Sequence, residues 1–355
     1  MNYIEKVISP QVREAKAYAV ADIPTNMLKL DAMELPCDLP ENLREKWLDR
    51  LKNVALNRYP PAVHPIIENL LKQHFNISEN HDVLFGNGSD ELIQIILLAS
   101  IQNNRYILAP APTFVMYELL TKFLGMQYIG VDTKSNFELD LPAMLKAIDK
   151  YQPAVIFLAH PNNPTGKTYP SSEIIQIIEK AEGLVVIDEA YLAYSEGSLK
   201  AFAEQYDNVV IMRTLSKTGF AGIRFGYLFG KKKWIHEFNK VRAPYNVNVL
   251  TQATIQFVLE NYSEIVQQSY EIKEEREKIY QLLKTWDECQ IFPSQANFLV
   301  LRVPNSQQWF EKLKSENILV KNLNNSHPLL ENCLRLTISN HKENIQLMAA
   351  LEKCR

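Results

Sequence analysis

Val209-Val210-Ile211-Met212-Arg213-Thr214-Leu215-Ser216-Lys217-Thr218-Gly219-Phe220-Ala221-Gly222-Ile223-Arg224 is the stretch that decides how this chain is read. An apolar run of strand length ends on Ser-Lys and passes into a segment punctuated by two glycines. That order sets an amine at the mouth of a sheet. Burial readily tunes the basicity of a lysine, and an amine so placed suits Schiff-base chemistry with an aldehyde. A single lysine is weak ground, because most lysines are solvated surface charges, so the surrounding chain has to supply the rest of a site.

Outward from Lys217, short apolar runs at 82–86, 106–109, 127–131, 154–159, 184–188, 209–213 and 226–229 alternate with helical patterns. The helical patterns fall at 62–74, 89–101, 114–124, 141–150 and 171–181. Strands that are apolar throughout belong to a sheet covered on both faces, so the pattern predicts an α/β fold with a mostly parallel seven-stranded sheet sandwiched by helices. Beyond residue 247 the texture changes. A long helical stretch spans about 248–286, with Lys273–Lys278 as its wet face and Ile272, Ile279, Leu282 and Leu283 on the other side. A strand at 296–302, a helix and another strand follow. The expected organisation is a large domain over 46–247 and a smaller α+β domain built from 1–45 and 248–355.

The totals agree with two domains: 355 residues, 46% hydrophobic and 22% charged. A formal net charge of −3 offers no electrostatic case for nucleic acid or an anionic membrane. Cys37, Cys289, Cys333 and Cys354 are too scattered for a zinc site or a disulfide framework, which points to a reducing compartment and to no metal. The first residues lack the apolar core of a signal peptide, and no apolar run approaches membrane-spanning length; a cytoplasmic location is expected.

Four segments carry chemistry. In Phe85-Gly86-Asn87-Gly88-Ser89-Asp90-Glu91-Leu92 a strand turns into an apolar helix. Gly88 is free to take positive φ, and the backbone N–H groups of Ser89 and Asp90 could hold a phosphate; read alone, the segment is also an ordinary capped helix. Ala159-His160-Pro161-Asn162-Asn163-Pro164-Thr165-Gly166 follows an apolar strand and makes a rigid loop with amides directed into the crevice, His160 serving as its support. Val185-Val186-Ile187-Asp188-Glu189-Ala190-Tyr191 ends a fully apolar strand on a carboxylate, which is costly unless partnered. A protonated pyridine nitrogen would be such a partner, with Tyr191 reaching the ring's phenolic oxygen; a capping Asp beside a core Tyr is the alternative. The fourth is Lys217 with Arg224, a guanidinium suited to a phosphate, with Gly219 and Gly222 allowing close approach. Together these segments supply what pyridoxal phosphate needs around the lysine amine.

In this order, Asn-Gly-Ser-Asp, Pro-Asn-Asn-Pro-Thr-Gly, Asp-Glu-Ala-Tyr and Ser-Lys…Gly-Ile-Arg-Phe-Gly resemble the class I/II pyridoxal-phosphate aminotransferases over nearly the whole chain. Within that family the resemblance is to the histidinol-phosphate branch, through Lys29-Leu30-Asp31-Ala32-Met33-Glu34, Asn57-Arg58-Tyr59-Pro60 and His327-Pro328…Leu334-Arg335. The resemblance implies aminotransferase fold type I, with Lys217 as the Schiff-base lysine and proton carrier. It implies Asp188 against the pyridine nitrogen, and Tyr191 and Asn163 at the 3-oxygen. Ser89, Asp90, Ser216 and Arg224 would hold the phosphate, and Phe114 would lie on the ring, without the hydroxyl of relatives that carry Tyr. Tyr59 matches a residue that reaches the partner subunit's cofactor phosphate, which implies a homodimer with shared sites.

For substrates, the resemblance implies histidinol phosphate and imidazole-acetol phosphate in one half-reaction, glutamate and 2-oxoglutarate in the other, as in histidine biosynthesis. Arg335 would bind the anionic end of both, with Tyr18, Tyr59 and Asn163 in the same pocket. Lys321 stands where relatives carry a second phosphate-binding arginine and lacks the bidentate fork. Between Lys217 and Arg224 there is one residue fewer than in many aminotransferases, and Met33-Glu34-Leu35-Pro36 departs from the Asn-Glu-Asn-Pro of many relatives. An aromatic amino-acid aminotransferase and a threonine-phosphate decarboxylase share the same four segments and stand as alternatives.

Overall fold

Val, Ile and Leu crowd the central strands of the large sheet, which are buried on both faces. The computed structural model describes residues 3–17, 27–36, 38–62, 64–102 and 105–355. In chain order the strands are β1 Leu28–Leu30, β2 His81–Gly86, β3 Tyr106–Ala111, β4 Gln127–Asp132, β5 Val155–Ala159, β6 Leu184–Asp188, β7 Val209–Thr214, β8 Gly226–Lys231, β9 Gln290–Phe292, β10 Phe298–Arg302, β11 Ile318–Asn322 and β12 Cys333–Thr337. The larger sheet runs β2-β8-β7-β6-β5-β3-β4 and is parallel except for β8, which is antiparallel to both its neighbours. Each of its seven strands coincides with a predicted apolar run. Every residue of β5, β6 and β7 is buried, which is why these three strands lack the alternation of a half-exposed strand.

The helices that cover this sheet lie where their periodicity put them: Pro65–Phe75, Ser89–Ala99, Val115–Phe123, Leu141–Tyr151 and Ser171–Lys180. The helical stretch expected over 248–286 is three pieces instead, Val249–Glu260, Tyr262–Ile265 and Gln267–Leu283, parted at Asn261 and Val266. Asn261 leaves helical geometry at φ −118° and ψ 23°, and its side-chain amide turns back onto the Phe257 carbonyl. Local hydrogen bonding of this kind is how an Asn competes with the helix ladder.

A second sheet, β1-β11-β12-β10-β9, brings the N-terminal Leu28–Leu30 beside Ile318–Val320. The core it covers takes in Leu30, Met33, Ile272, Ile279 and Phe298, whereas Leu43, Ile255, Phe257, Val258 and Ile265 pack with the large sheet. We therefore propose that the division between the two units follows this packing and falls near Val266, with residues from about 41 on the N-terminal side joining the large unit.

On helix Gln267–Leu283 the buried face differs from the expected one. Leu282 is exposed, while Glu275 is buried between Ile272 and Ile279. Glu275 accepts from Asn344 and Lys278, and the neighbouring Arg276 donates to the carbonyls of Tyr194 and Ala296. Glu275 is thus satisfied by side chains and Arg276 by main-chain carbonyls.

Behind β6 and β7 lies a charge pair that periodicity did not disclose. Arg213 donates through Nε to Glu189 at 2.9 Å, and its guanidinium lies 5.1 Å from the ring centres of both Phe75 and Phe229. The two side chains are 4% and 0% exposed, so neither charge has water as an alternative partner. Glu189 also accepts from Ser198 and the Leu199 N–H, which fixes the loop that follows Asp188. Replacing Arg213 by Ala leaves the Glu189 carboxylate buried without its cation, and the expected loss is about 3–5 kcal/mol of unfolding free energy in a urea titration.

Candidate active site

Parallel pairing sets Ala159 of β5 beside Asp188 of β6, and Asp188 beside Met212 of β7, so the three strands end together. Loops leaving the C-terminal ends of parallel strands surround a crevice, the usual place for a ligand in an open α/β sheet. Lys217, Asp188, Tyr191, Asn163, Phe114, Ser89, Asp90, Ser216 and Arg224 all line the cavity there. Segments spread from 89 to 224 in sequence thus meet at one sheet edge. Three other predicted residues, Tyr59, Arg335 and Lys321, are not among those that line it. Tyr59 is 81% exposed and stacks on Tyr245 with ring centres 4.7 Å apart, and Tyr18 lies outside the described residues.

Lys217 follows β7 in a distorted helical turn, with Thr218 at φ −114° and Gly219 at φ +97°. Its Nζ donates to the Ala32 carbonyl at 3.2 Å and stands 5.7 Å from the centre of the Tyr191 ring. Burial lowers the pKa of Lys217 to about 8, and the positive charge of Arg335 works in the same direction. The amine therefore gives up its proton at a lower pH than a surface lysine does.

Asp188 is 5% exposed, and its carboxylate accepts from Tyr117 Oη at 2.6 Å and from the Ala190 N–H at 3.0 Å. Burial raises its pKa to about 6 despite these two bonds. Among the described residues, no cationic side chain forms an ion pair with it. A ring N–H⁺ fits this position well, because it would supply the missing positive charge. Tyr117 was not foreseen from sequence. It is fully buried on helix Val115–Phe123, flat against Phe157 at 4.5 Å, and resembles any core tyrosine until the fold brings Asp188 to it.

The phosphate end of the cavity is equally specific. Gly88 takes φ +81°, and helix Ser89–Ala99 begins with no side-chain cap. A Cβ on Gly88 would lie 2.6 Å from Arg224 Nη2, and one on Gly226 would lie 2.8 Å from the Ser89 nitrogen. Only glycine at both positions lets helix start and guanidinium close around a small space. Arg224 pairs with Asp90 at 3.1 Å, and Ser216 is held by Thr214, whose hydroxyl lies 2.9 Å from its own. Helix N–H groups, a guanidinium and a hydroxyl are a donor set for a phosphate.

The substrate side joins the two units. Arg335 on β12 donates to Asn163 Oδ1 at 2.5 Å and to the Asp31 carbonyl at 2.8 Å, and its guanidinium lies 5.3 Å from the Phe298 ring centre. Lys321 on β11 is its direct cross-strand partner, so both cations rise from the same face of the small sheet. The Asn163 loop rests on Asn162, whose amide donates to the Pro112 carbonyl and to Thr165. His160 accepts from the Tyr169 N–H at 3.2 Å, and burial lowers its pKa to about 4, which suits a neutral support.

Comparison with known proteins places this geometry among relatives. The profile of the family described as aminotransferase class I and II matches residues 25–351. The histidinol-phosphate aminotransferase of Chromobacterium violaceum is 44% identical over 350 residues, which cover 99% of this chain and 98% of that one. The crystal structure of histidinol-phosphate aminotransferase from Sinorhizobium meliloti, in complex with pyridoxal-5'-phosphate, superposes with a TM-score of 0.85 at 19% identity, covering 98% of this chain and 97% of that one. L-threonine-O-3-phosphate decarboxylase from Porphyromonas gingivalis shares the fold at a TM-score of 0.78 and 19% identity, covering 92% and 99%.

The cost of holding Asp188 is measurable. Its carboxyl titrates near 3.8 when free and near 6 in the fold. Ionisation therefore works against the folded state: the cost is absent below the lower value, grows between the two and is constant above the higher. It amounts to about 2–3 kcal/mol. Asp188→Asn should accordingly make the cofactor-free protein more resistant to urea at pH 7, with the advantage gone at pH 4. A variant less stable than its parent at pH 7 would contradict the assigned cost.

Proposed function

The chain belongs to the aminotransferase class I and II family, and on that premise we propose that it exchanges an amino group between histidinol phosphate and 2-oxoglutarate, a step of histidine biosynthesis. It is a pyridoxal-phosphate-dependent enzyme. The single observation that carries the reading is the shared cavity lined by a lysine of lowered pKa and by a buried carboxylate that forms no ion pair among the described residues.

Bound pyridoxal phosphate supplies an electron-withdrawing ring that stabilises negative charge at the substrate Cα. The roles of the side chains follow from their surroundings. Lys217 acts as the nucleophilic amine and then carries the Cα proton, for which a pKa near working pH is favourable. Asp188, itself held by Tyr117 and the Ala190 N–H, would keep a positive charge on the ring nitrogen. Tyr191 and Asn163 would serve the ring's 3-oxygen and Phe114 the ring face. The N–H groups of Ser89 and Asp90, with Ser216 and Arg224, would hold the phosphate.

Arg335 and Lys321 receive the anionic end of either substrate. Their cross-strand pairing favours a substrate that carries a phosphate, because two cations on one face suit a doubly charged group. Tyr59 is exposed and braced by Tyr245; in the homodimer we propose, it would reach the partner's cofactor phosphate. No described helix is long and apolar enough to cross a membrane, and Cys289, Cys333 and Cys354 are free thiols, in keeping with a cytoplasmic enzyme.

The test is the absorbance of the loaded protein. Histidinol phosphate added alone should change the cofactor band, and 2-oxoglutarate should restore it. A protein that ignores histidinol phosphate and responds to phenylalanine would move the reading to the aromatic enzymes, and release of carbon dioxide from threonine phosphate would move it to the decarboxylase. Lys217→Ala should abolish turnover while leaving the unfolding transition intact. Arg335→Ala should raise KM for histidinol phosphate and 2-oxoglutarate together, by about tenfold or more each if a charge-assisted bond is lost. An effect on one substrate alone would refute a shared anion site.

A further inference from the structure

The hydroxyl of Tyr194 donates to the main-chain carbonyl of Lys217 at 2.5 Å. Tyr194 follows the Asp188–Tyr191 segment, in the short helical turn Leu192–Tyr194, and its side chain is fully buried. It packs with the core of the small sheet, not the large one from which its own segment emerges. Its backbone is held from the same side, since Arg276 of helix Gln267–Leu283 donates to the Tyr194 carbonyl at 3.1 Å. Ser269 of that helix and Asn297, just before β10, lie beside the phenol and moderate the upward shift that burial gives it. Both are buried, and Asn297 also donates to the Met33 carbonyl, next to the Ala32 carbonyl that receives the lysine amine.

On the reading of Lys217 given above, we infer that Tyr194 is a positioning residue for Lys217: its hydroxyl holds the main chain of the lysine and ties that chain to helix Gln267–Leu283 and the start of β10, so the small unit sets how the amine is presented. Lys217 needs such a hold. Its segment departs from helical geometry at Thr218 and Gly219, and the following turn ends on Arg224 at φ +51°. The regular ladder that fixes an ordinary helical lysine is missing there. Tyr194 supplies one fixed point through its hydroxyl, and the Ala32 carbonyl supplies another at the far end of the same side chain. Both fixed points are attached to the small unit, so a shift of that unit would move carbonyl and amine together. A phenylalanine would preserve the packing of the ring and lose only this tie.

The amine of Lys217 is surrounded by Arg335 and Arg224, which disfavour its charge, and by Glu34 and Asp90, which favour it, within a buried setting. Loosening the chain lets the amine escape burial and Arg335, so its titration should move upward. The experiment follows the rate at which cofactor-free protein captures added pyridoxal phosphate from pH 6.5 to 9.5, in parent and in Tyr194→Phe. Steady-state constants of the loaded enzymes and melting temperatures accompany it. The variant should show a midpoint higher by about half a unit or more and a kcat lower by about fivefold, with KM within twofold, the scale of one lost hydrogen bond.

An unchanged midpoint and kcat would overturn the inference, even if the variant melted lower, because packing alone would then explain Tyr194. Should Tyr194→Phe fail to fold, Arg276→Met removes the bond from the helix to the Tyr194 carbonyl; a smaller upward shift sustains the inference and none overturns it. Failure of the functional reading looks different. The parent would then capture pyridoxal phosphate yet leave histidinol phosphate unchanged, and the comparison of midpoints would stand.

Discussion

A carboxylate at the buried end of β6 is the constraint on which the rest of this structure depends. Asp188 is flanked by strands that are buried throughout, and water cannot offset the cost of its charge. The fold meets that cost only in part, through one phenol and one backbone N–H. The unliganded pocket is thus less stable than it could be, and on the role proposed for Asp188 a positive ring nitrogen would turn that deficit into binding energy and electronic control.

Two other ionic arrangements show how closely the charges around this deficit are managed. Glu189, the next residue, is satisfied by Arg213, Ser198 and the Leu199 N–H, so its carboxylate is directed into the protein and away from the pocket. Lys217 is kept from full protonation by burial and by Arg335, which also belongs to the substrate side. Adjacent carboxylates therefore have opposite fates, one neutralised inside the fold and one left waiting. The lysine and the substrate arginine share a field, so an anion arriving at Arg335 would favour the protonated amine.

The two units meet at this pocket through few but well-defined contacts. Arg335 crosses to Asn163, Ser294 stands so close to Gly166 that a Cβ there would lie 2.2 Å from its Oγ, and the Gln295 N–H reaches the Gly166 carbonyl. Tyr194 links the lysine segment to the small unit from the other side. Arg335, Asn163 and Lys217 are therefore tied to the same relative placement of the two units.

Much of this was legible in the chain itself. Apolar runs marked all seven strands of the large sheet, most plainly β5 and β6, which are buried on both faces and apolar up to their last residues. Gly88, Gly219 and the Asn-Pro loop marked the turns, because each needs a backbone few residues adopt. Lys217, Asp188 and Arg224 were visible as charged residues at the ends of apolar runs. Tyr117 and Tyr194 were not, since a buried tyrosine has the same local pattern whether its hydroxyl meets a carboxylate, a carbonyl or nothing. The breaks at Asn261 and Val266, the burial of Glu275 and the joining of β1 to β11 were likewise hidden. Local sequence determined which segments could be strand, turn or anion site, because those depend on neighbours along the chain. Which side chains complete each other across 71 residues, as Tyr117 and Asp188 do, was decided only when tertiary packing excluded water and left each with the other as partner.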